Sequence, residues 1–251
     1  MNNFRFALFF IPLLLQFCSP DTSRNEAPSK LFEYRLSQKA DKIWAHRVDR
    51  ISDAKSKAAE FNGIEVDLFY NALEDDFYVR HDEDAPDTLK LDVFLDSVLT
   101  IKDYYFWFDF KNLESDIVLQ QISRLSAILS EHGIGNRCFI ESTNTTALNI
   151  AGKYIPCSFW IPKSEELNTE KEQKILAKQI LRRIKDTHIK MLSADYRYYP
   201  FFEKYFPDYK VNLWMIGEPD AEKLNLLNVL AQKKNVNIIL IDRNTNYLST
   251  R

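Results

Sequence analysis

The chain has little glycine and little cysteine, and it lacks the motifs that these residues form. It contains 5 glycines and 3 cysteines among 251 residues. No GxGxxG or GxxxxGK loop occurs, which excludes nucleotide binding by either of those phosphate loops. No CxxC pair or HExxH motif occurs, which excludes the common zinc-binding patterns. Cys138 and Cys157 have no metal-binding spacing, and we expect both to be buried thiols.

The chain also lacks an excess of either charge. It has 33 basic and 36 acidic residues, and its formal net charge is −3. Proteins that hold nucleic acid electrostatically present a basic surface, so this balance argues against nucleic acid as a partner. At 45% hydrophobic residues, a chain of 251 residues can bury the core of one large domain.

An apolar run at the N-terminus predicts export. The run FALFFIPLLLQF, residues 6–17, is too short to span a bilayer but has the length of a signal-peptide core. Cys18 follows it directly, as in bacterial lipoprotein signals, although Phe17 stands where those signals carry a small residue. We therefore expect a protein of the bacterial cell envelope that is either lipid-anchored through Cys18 or secreted.

The sequence divides into three segments. We expect a signal peptide in residues 1–18, a polar tether in residues 19–40 and one folded domain in residues 41–251. The tether begins SPDTSRNEAPSK, which is polar and contains proline and serine. Contact with a membrane is expected only through the N-terminal anchor.

Short apolar runs alternate with helical patterns from residue 41 onward. Residues 114–133 place their apolar side chains at helical spacing, and residues 218–235 form a second such helix. Eight strands that alternate with helices predict a parallel sheet, and eight is the number that closes a single-domain (β/α)8 TIM barrel. Residues 77–82 predict an extra extended piece after the second strand. The eight apolar runs are residues 43–46, 63–69, 104–110, 137–142, 156–161, 189–195, 211–216 and 236–242.

Two carboxylates interrupt the apolar run NGIEVDLF. Glu65 and Asp67 are two residues apart, so on a strand both point to the same face. At the C-terminal ends of barrel strands that face lines the cleft where active sites form. Asp109 and Lys111 repeat the spacing on the next barrel strand. Carboxylates that share a buried face repel, and a divalent cation removes the repulsion; oxygen ligands without cysteine favour Mg²⁺ or Ca²⁺.

The four histidines fall into two groups. His132 is expected at a helix C-terminus and His188 at the base of the barrel, and we expect both to be structural. His46 and His81 fall on the side where the carboxylates gather. In-line cleavage of a phosphodiester needs one group that takes a proton from the nucleophile and one that gives a proton to the leaving group. A metal ion and a lysine can neutralise the phosphate oxygens.

Three further acids end predicted strands. Glu141 is compatible with either a pocket or a structural role. Asp195 and Asp242 are expected to cap the segments that follow them, because aspartate is a favoured N-cap residue.

Several motifs, and their order along the chain, resemble those of the phosphatidylinositol-phospholipase-C-like phosphodiesterase superfamily. Its members include the glycerophosphodiester phosphodiesterases and the sphingomyelinase D type enzymes. The resemblance covers most of residues 43–242, and it implies a TIM-barrel phosphoric diester hydrolase or a related lyase. The motifs are AHR (45–47), GIEVDLF (63–69), VRHD (79–82), FDFKN (108–112) and the strand–helix–strand unit of residues 211–242.

The resemblance implies a role for each of nine residues and one bound divalent cation, Mg²⁺ or Ca²⁺. The implied substrate is a small-molecule or lipid-derived phosphodiester, either a glycerophosphodiester or a phospholipid-type diester. The implied roles are acid–base catalysis for His46 and His81, metal binding for Glu65, Asp67 and Asp109, phosphate contact for Lys111 and Arg47, and pocket lining for Glu141 and Trp214.

The sequence also departs from the glycerophosphodiesterase pattern. Those enzymes usually have His-Arg-Gly followed by Glu-Asn, whereas this chain has HRVD at residues 46–49 and no such pair before Glu65. The pair of Asp109 and Lys111 is more similar to the sphingomyelinase D branch. Attack by water and attack by a substrate hydroxyl, which gives a cyclic phosphate, both stay open. The alternative function is a non-catalytic envelope barrel that binds a phosphate-containing ligand or a metal.

Overall fold

The computed structural model describes residues 42–82, 84–86, 88–162, 169–217 and 219–242. The predicted signal peptide and tether lie outside these ranges, and both stay predictions. The described residues form a closed ring of parallel strands with helices between them, which confirms the predicted (β/α)8 TIM barrel.

The sheet contains nine strands. Strand β1 pairs in parallel with both β2 and β9, so the sheet closes on itself. Strand β3 lies outside the closed ring and pairs antiparallel with β2. The eight parallel strands coincide with the eight apolar runs of the sequence. The strands are β1 (Ile43–Ala45), β2 (Gly63–Asn71), β3 (Asp76–Val79), β4 (Tyr105–Phe110), β5 (Cys138–Ser142), β6 (Cys157–Trp160), β7 (Met191–Asp195), β8 (Lys210–Met215) and β9 (Val236–Ile241).

Helices connect the parallel strands. Helix α3 lies within the predicted range 114–133, and Gly133 follows it with a φ of 64°, a conformation that favours glycine. Helix α7 lies within the predicted range 218–235, and the Asp220 side chain caps it by accepting a hydrogen bond from Lys223 N. The helices are α1 (Ile51–Lys57), α2 (Leu91–Leu99), α3 (Val118–Glu131), α4 (Thr145–Ala151), α5 (Glu170–Ile184), α6 (Tyr199–Tyr205), which a short 3-10 helix (Tyr196–Tyr198) precedes, and α7 (Ala221–Ala231).

Strand β2 extends beyond its predicted end at Phe69 and turns back as β3, the predicted extra extended piece. Glu65 and Asp67 therefore lie in the middle of β2, not at its end. The extension is stable because β3 supplies backbone partners beyond the barrel. The hairpin returns the chain to the barrel, where Arg80 N donates to Asp67 O at 3.1 Å, and His81 follows directly.

The interior of the barrel has an apolar layer and a self-paired polar network. Ring centroids of Trp107 and Phe139 are 5.1 Å apart, within a cluster that also contains Trp44. Asn212 Nδ2 donates to Ser158 Oγ at 3.1 Å, and Asn237 Nδ2 donates to Asn212 Oδ1 at 2.9 Å. We call the three residues of this network, Ser158, Asn212 and Asn237, the barrel floor.

A change of Gly63 to alanine is expected to destabilise the fold by about 1–3 kcal/mol, because it overpacks the interior. An added Cβ would lie 2.0 Å from the Trp44 ring, which is fully buried. The matched control is Gly135→Ala, since nothing lies within 4 Å of an added Cβ there. Thermal or urea unfolding of the two variants measures the difference. Equal stabilities would show that Trp44 can move away from β2.

The two predicted buried thiols are both buried and free. Burial raises the pKa of Cys138 to about 12, and it raises the pKa of Cys157 as well, so neither forms a thiolate at neutral pH. Among the described residues, no helix combines the length and the apolar character needed to cross a membrane. The aromatic segment 196–209 packs at the edge of the barrel, where Phe201, Phe202 and Phe206 are buried.

Candidate active site

Three carboxylates from two adjacent strands meet inside the barrel. Glu65 and Asp67 lie on β2, and Asp109 lies on β4 directly beside Asp67 in the strand register. One oxygen of each carboxylate lies within 4.8 Å of the other two. Glu65 is 3% and Asp67 is 2% exposed. The spacing of two residues on β2 thus directs both side chains to one interior face. We call these three residues the acidic cluster.

The carboxyl groups around this cluster are hard to ionise together. Burial raises the pKa of Glu65 well above its usual range, and the Asp67 and Asp109 carboxylates raise it further. Burial also raises the pKa of Asp109, against the opposing effect of the Lys111 ammonium. The pKa of the nearby Asp49 is raised to about 8, by burial and then by Asp67. Without a bound cation, this part of the barrel therefore retains protons near neutral pH.

Lys111 lies against two of the three carboxylates. Its Nζ donates to Asp67 Oδ1 at 2.6 Å and also to Asp109. Burial lowers the pKa of Lys111, but the Asp109 and Asp67 carboxylates outweigh burial and raise it above its usual value. The ammonium therefore stays charged beside the acidic cluster. The predicted contact between Lys111 and a phosphate requires no change in its protonation.

The acidic cluster fits a hard divalent cation. Asp67 Oδ2 is buried and has no hydrogen-bond partner among the described residues. A buried carboxylate oxygen without a partner is costly, and a cation removes that cost. All three side chains offer oxygen, the ligand atom that Mg²⁺ and Ca²⁺ prefer. Glu65, Asp67 and Asp109 are therefore the residues that would hold such an ion.

His46 lies directly after β1, and its ring contacts Asp242, the residue that follows β9. Nδ1 is 2.6 Å from Asp242 Oδ1, and the other oxygen of Asp242 accepts a hydrogen bond from Gly217 N at 2.7 Å. If Nδ1 donates to Asp242, Nε2 is the acceptor, and it lies 3.9 Å from Glu65 Oε2. Asp242 was expected only to cap the segment after it. That segment lies outside the described residues, so the capping stays a prediction. The Asp242 carboxylate contacts His46, because β9 pairs with β1.

The segment between His46 and α1 supports the acidic cluster through its backbone and through Asp49. Arg47 has a φ of 52°, and its backbone N–H donates to Glu65 Oε2 at 2.6 Å. Asp49 Oδ1 accepts a hydrogen bond from Asp67 N at 2.9 Å. The Arg47 side chain is 49% exposed, and its Nε is 3.8 Å from Asp49 Oδ2. Arg47 thus lies at the rim, where the predicted phosphate contact is sterically open.

His81 follows the β2–β3 hairpin and repeats the arrangement of His46. Its Nδ1 is 2.6 Å from Asp82 Oδ1. Its side chain is 41% exposed, so it lies nearer to solvent than His46. Burial raises the pKa of the Asp109 carboxyl, and the nearby His81 ring is one of the groups that oppose this rise. Both predicted catalytic histidines therefore lie beside the acidic cluster, and each has Nδ1 on a carboxylate.

Glu141 and Trp214, the predicted pocket residues, lie on different parts of the wall. Glu141 is beside Asp109 in the strand register and is 4% exposed. Burial raises the pKa of Glu141 well above its usual range, and the Asp109 carboxylate raises it further. Trp214 lies on β8 and is partly buried against the apolar layer around Trp44. The expectation that Asp195 caps the following turn is confirmed, because it accepts a hydrogen bond from Arg197 N.

Asp242→Asn is expected to lower kcat by roughly 10–100-fold with little change in KM, because the amide no longer fixes the tautomer and orientation of His46. Steady-state kinetics on a phosphodiester measures this split. Asp208→Asn makes the same chemical change at an exposed position at the base of the barrel, and we expect it to leave both constants unchanged. A rise in KM alone would show that Asp242 binds substrate and does not position His46.

Sequence reasoning missed the contacts of two residues of this region, Asp242 and Asp49. Asp242 had a usable signal, because the first and last strands of a closed barrel are neighbours and their polar ends must meet. Asp49 also had one, since it follows His46 within the same short segment.

The fold is a TIM barrel like that of solved glycerophosphodiester phosphodiesterases, which confirms the resemblance at the level of fold. Many solved structures similar to this chain are glycerophosphodiester phosphodiesterases. No protein-family profile matches the sequence, and no curated protein matches it.

Three of these structures show the extent of the likeness. The glycerophosphodiester phosphodiesterase of Parabacteroides distasonis has 16% identity and a TM-score of 0.56, over 80% of this chain and 92% of its own. The enzyme of Agrobacterium tumefaciens has 16% identity and a TM-score of 0.53, over 80% of this chain and 96% of its own. The enzyme of Thermotoga maritima has 13% identity and a TM-score of 0.52, over 80% of this chain and 94% of its own. At these identities, the likeness establishes the fold.

Proposed function

We propose that the protein is a metal-dependent phosphodiesterase that cleaves a glycerophosphodiester or a phospholipid-type diester. The observation that supports this most strongly is the pair of histidines. His46 and His81 both place Nδ1 2.6 Å from a carboxylate oxygen, which leaves Nε2 of each ring available to exchange a proton. A protein that only binds phosphate has no need for two imidazoles oriented in this way.

In the proposed reaction the substrate phosphate lies between the two histidines and beside Lys111. A nucleophile, either water or a hydroxyl of the substrate, loses its proton to one imidazole and forms a new bond to phosphorus. The bond from phosphorus to the leaving alcohol breaks, and the other histidine donates a proton to that oxygen. A substrate hydroxyl as nucleophile gives a cyclic phosphate as the first product.

The charge on the phosphate would be balanced by Lys111 and by a divalent cation held at the acidic cluster. When a divalent ion is held by Glu65, Asp67 and Asp109, it supplies positive charge to the non-bridging oxygens of the phosphate. Lys111 donates hydrogen bonds from the same side, since its ammonium already lies between Asp67 and Asp109. Arg47, at the rim, is a second donor to the phosphate.

The direct test is hydrolysis of bis(p-nitrophenyl) phosphate and of glycerophosphodiesters, with EDTA and after restoration of Mg²⁺ or Ca²⁺. We expect release of alcohol that depends on the metal and is lost in His46→Ala. Absence of turnover together with metal-dependent thermal stabilisation would favour the alternative, a barrel that binds a phosphate-containing ligand or a metal without catalysis. Absence of any response to metal would show that the acidic cluster is structural.

We also propose that the protein is exported to the bacterial cell envelope, on the evidence of the apolar run 6–17 and of Cys18. Fractionation of cells that make the full chain tests this. An anchored protein moves from the membrane fraction to the soluble envelope fraction or culture medium when Cys18 is changed to alanine. Recovery of both forms in the cytoplasm would contradict export.

A further inference from the structure

Lysines stand at the start of four consecutive strands of the ring. Strands β7, β8, β9 and β1 are neighbours in the sheet. Parallel strands of a barrel all begin at the same end, which we call the base, so these lysines lie together there. The basal lysines are Lys190 before β7, Lys210 at the start of β8, Lys233 and Lys234 before β9, and Lys42 before β1.

Carboxylates neutralise little of this positive charge. Lys233 Nζ is 2.8 Å from Glu203 Oε1. Within the described ranges, no carboxylate forms an ion pair with any of the other basal lysines. The Nζ groups of Lys42, Lys190 and Lys210 donate to backbone carbonyls instead. A carbonyl oxygen carries no net charge, so the base of the barrel stays positive.

The basal lysines are close enough to repel one another. Burial lowers the pKa of Lys42, and the positive charge of Lys210 lowers it further. Lys190, Lys210 and Lys234 are exposed, so their ammonium groups are accessible from solution. Like charges held together in this way favour the binding of a negatively charged partner, which relieves their repulsion.

A pocket of about 470 Å³ lies among these lysines. Lys210, Lys233 and Lys234 contribute to its wall. Two acids also line it, of which Glu203 is already paired with Lys233 and Asp208 is exposed. A pocket of this size is large enough for a phosphate head group. The base therefore offers a concave surface, with its lysines around it.

The opposite end of the barrel, the mouth, is rich in carboxyl groups. Asp49 and Asp242 lie there, beside the acidic cluster and His46. The whole chain has a formal net charge of −3, so it has no general attraction to a negatively charged surface. Such a surface favours contact with the base over contact with the mouth.

The predicted tether joins the domain at the same end. The described part of the domain begins at Lys42, which is itself a basal lysine, and residues 19–40 separate it from Cys18. A chain of that length spans at most roughly 75 Å when fully extended. The proposed lipid on Cys18 thus keeps the base within that reach of the membrane. Lysines close to an anionic leaflet add to the hold of a lipid anchor.

We propose that the basal lysines dock the barrel on an anionic lipid surface, with lipid phosphates at the basal pocket and the mouth turned towards the aqueous side. Two observations support this partner, namely the opposite charge of the lipid and the entry of the tether at the base. The docking uses none of the residues assigned to catalysis, and it does not depend on turnover.

Sedimentation with lipid vesicles tests the docking. The protein is the full chain with Cys18→Ala, in EDTA so that no metal joins the acidic cluster to a lipid phosphate. One set of vesicles is phosphatidylcholine alone, and the other is an equal mixture of phosphatidylcholine and phosphatidylglycerol. We expect affinity for the mixed vesicles to be higher by at least about tenfold at low ionic strength and to fall as salt is added. The neutral vesicles measure any contribution of the apolar run 6–17.

A double variant, Lys210→Gln with Lys234→Gln, places the binding at the base. We expect it to lower affinity for the mixed vesicles by about tenfold or more, because two lysines near the lipid surface are lost. The matched control is Lys174→Gln with Lys178→Gln, which removes the same charge from two exposed positions on α5. We expect this control to bind as the parent does, and melting curves check that both variants are folded. An equal loss in the two double variants would overturn the docking, since net charge alone would then explain it.

Arg47→Gln distinguishes the two ends of the barrel, because Arg47 is a half-exposed cation at the mouth. We expect it to leave vesicle binding unchanged. Lower binding in Arg47→Gln than in the basal double variant would overturn the docking, and so would equal binding of the parent to neutral and anionic vesicles. A protein that binds the mixed vesicles through its base but hydrolyses no phosphodiester contradicts the proposed function and supports the docking.

Discussion

Replacement of His46 by alanine is expected to lower turnover of a phosphodiester by roughly 10²–10⁴-fold, because a positioned acid or base is worth about that much. The fold should survive, since the side chain is partly exposed and lies after β1, outside the apolar layer. Steady-state kinetics and a melting curve on the same preparation separate the two effects. Added imidazole should restore part of the lost rate.

The matched control is His188→Ala. His188 is exposed at the opposite end of the barrel, and its backbone N–H donates to Asn149. We expect this variant to keep the wild-type rate. If His46→Ala also kept a near-normal rate, His46 would have no part in the mechanism, and the contact between His46 and Asp242 would be purely structural.

Asp67→Asn is expected to abolish the thermal stabilisation that Mg²⁺ or Ca²⁺ gives to the wild type. A ligand that binds only the folded state stabilises it by about 2.7 kcal/mol at a hundredfold excess over Kd, so the loss is large enough to measure. The amide removes one charge from the acidic cluster and leaves the shape of the side chain unchanged. A metal-induced shift that survives in Asp67→Asn would exclude Asp67 as a ligand.

The stability of the metal-free protein is expected to fall as pH rises. Burial raises the pKa of Glu65 and of Asp109 in the folded protein, and it raises the pKa of Asp49 to about 8. The metal-free folded state thus binds protons more tightly than the unfolded state does, so its stability falls as pH rises from about 4 towards 8. Added metal should restore stability near pH 8, change little near pH 5, and release protons on binding.

Melting curves in EDTA and in metal across this pH range give the measurement. The slope of melting temperature against pH should be shallower in Asp49→Asn, because a group whose pKa is raised to about 8 is removed. A metal-free protein that becomes more stable between pH 5 and pH 8 would contradict the repulsion among these carboxylates.

The fold could be predicted because each strand and each helix has a recognisable pattern within its own short stretch of sequence. Each parallel strand is a short apolar run, and each helix has its own spacing and often its own cap, as with Asp220 before α7. The acidic cluster could be predicted for the same reason, since the face shared by Glu65 and Asp67 follows from their spacing on one strand.

The rest of the site depends on contacts that no local pattern contains. The pairing of His46 with Asp242 depends on closure of the sheet, and the length of β2 depends on the antiparallel partner β3. Strand pairing and burial therefore determine these contacts, which the spacing of residues along the sequence does not reveal.

The contact between His46 and Asp242 joins residues 196 positions apart, which directly follow the first and last strands of the ring. A nascent chain that has formed the strands before β9 lacks the carboxylate that orients His46, so synthesis of nearly the whole domain precedes a competent site. During refolding, helical circular dichroism reports the early local contacts, whereas recovery of phosphodiester turnover reports the slow, high-contact-order step in which the sheet closes. On the proposed function, turnover therefore requires the complete, closed sheet.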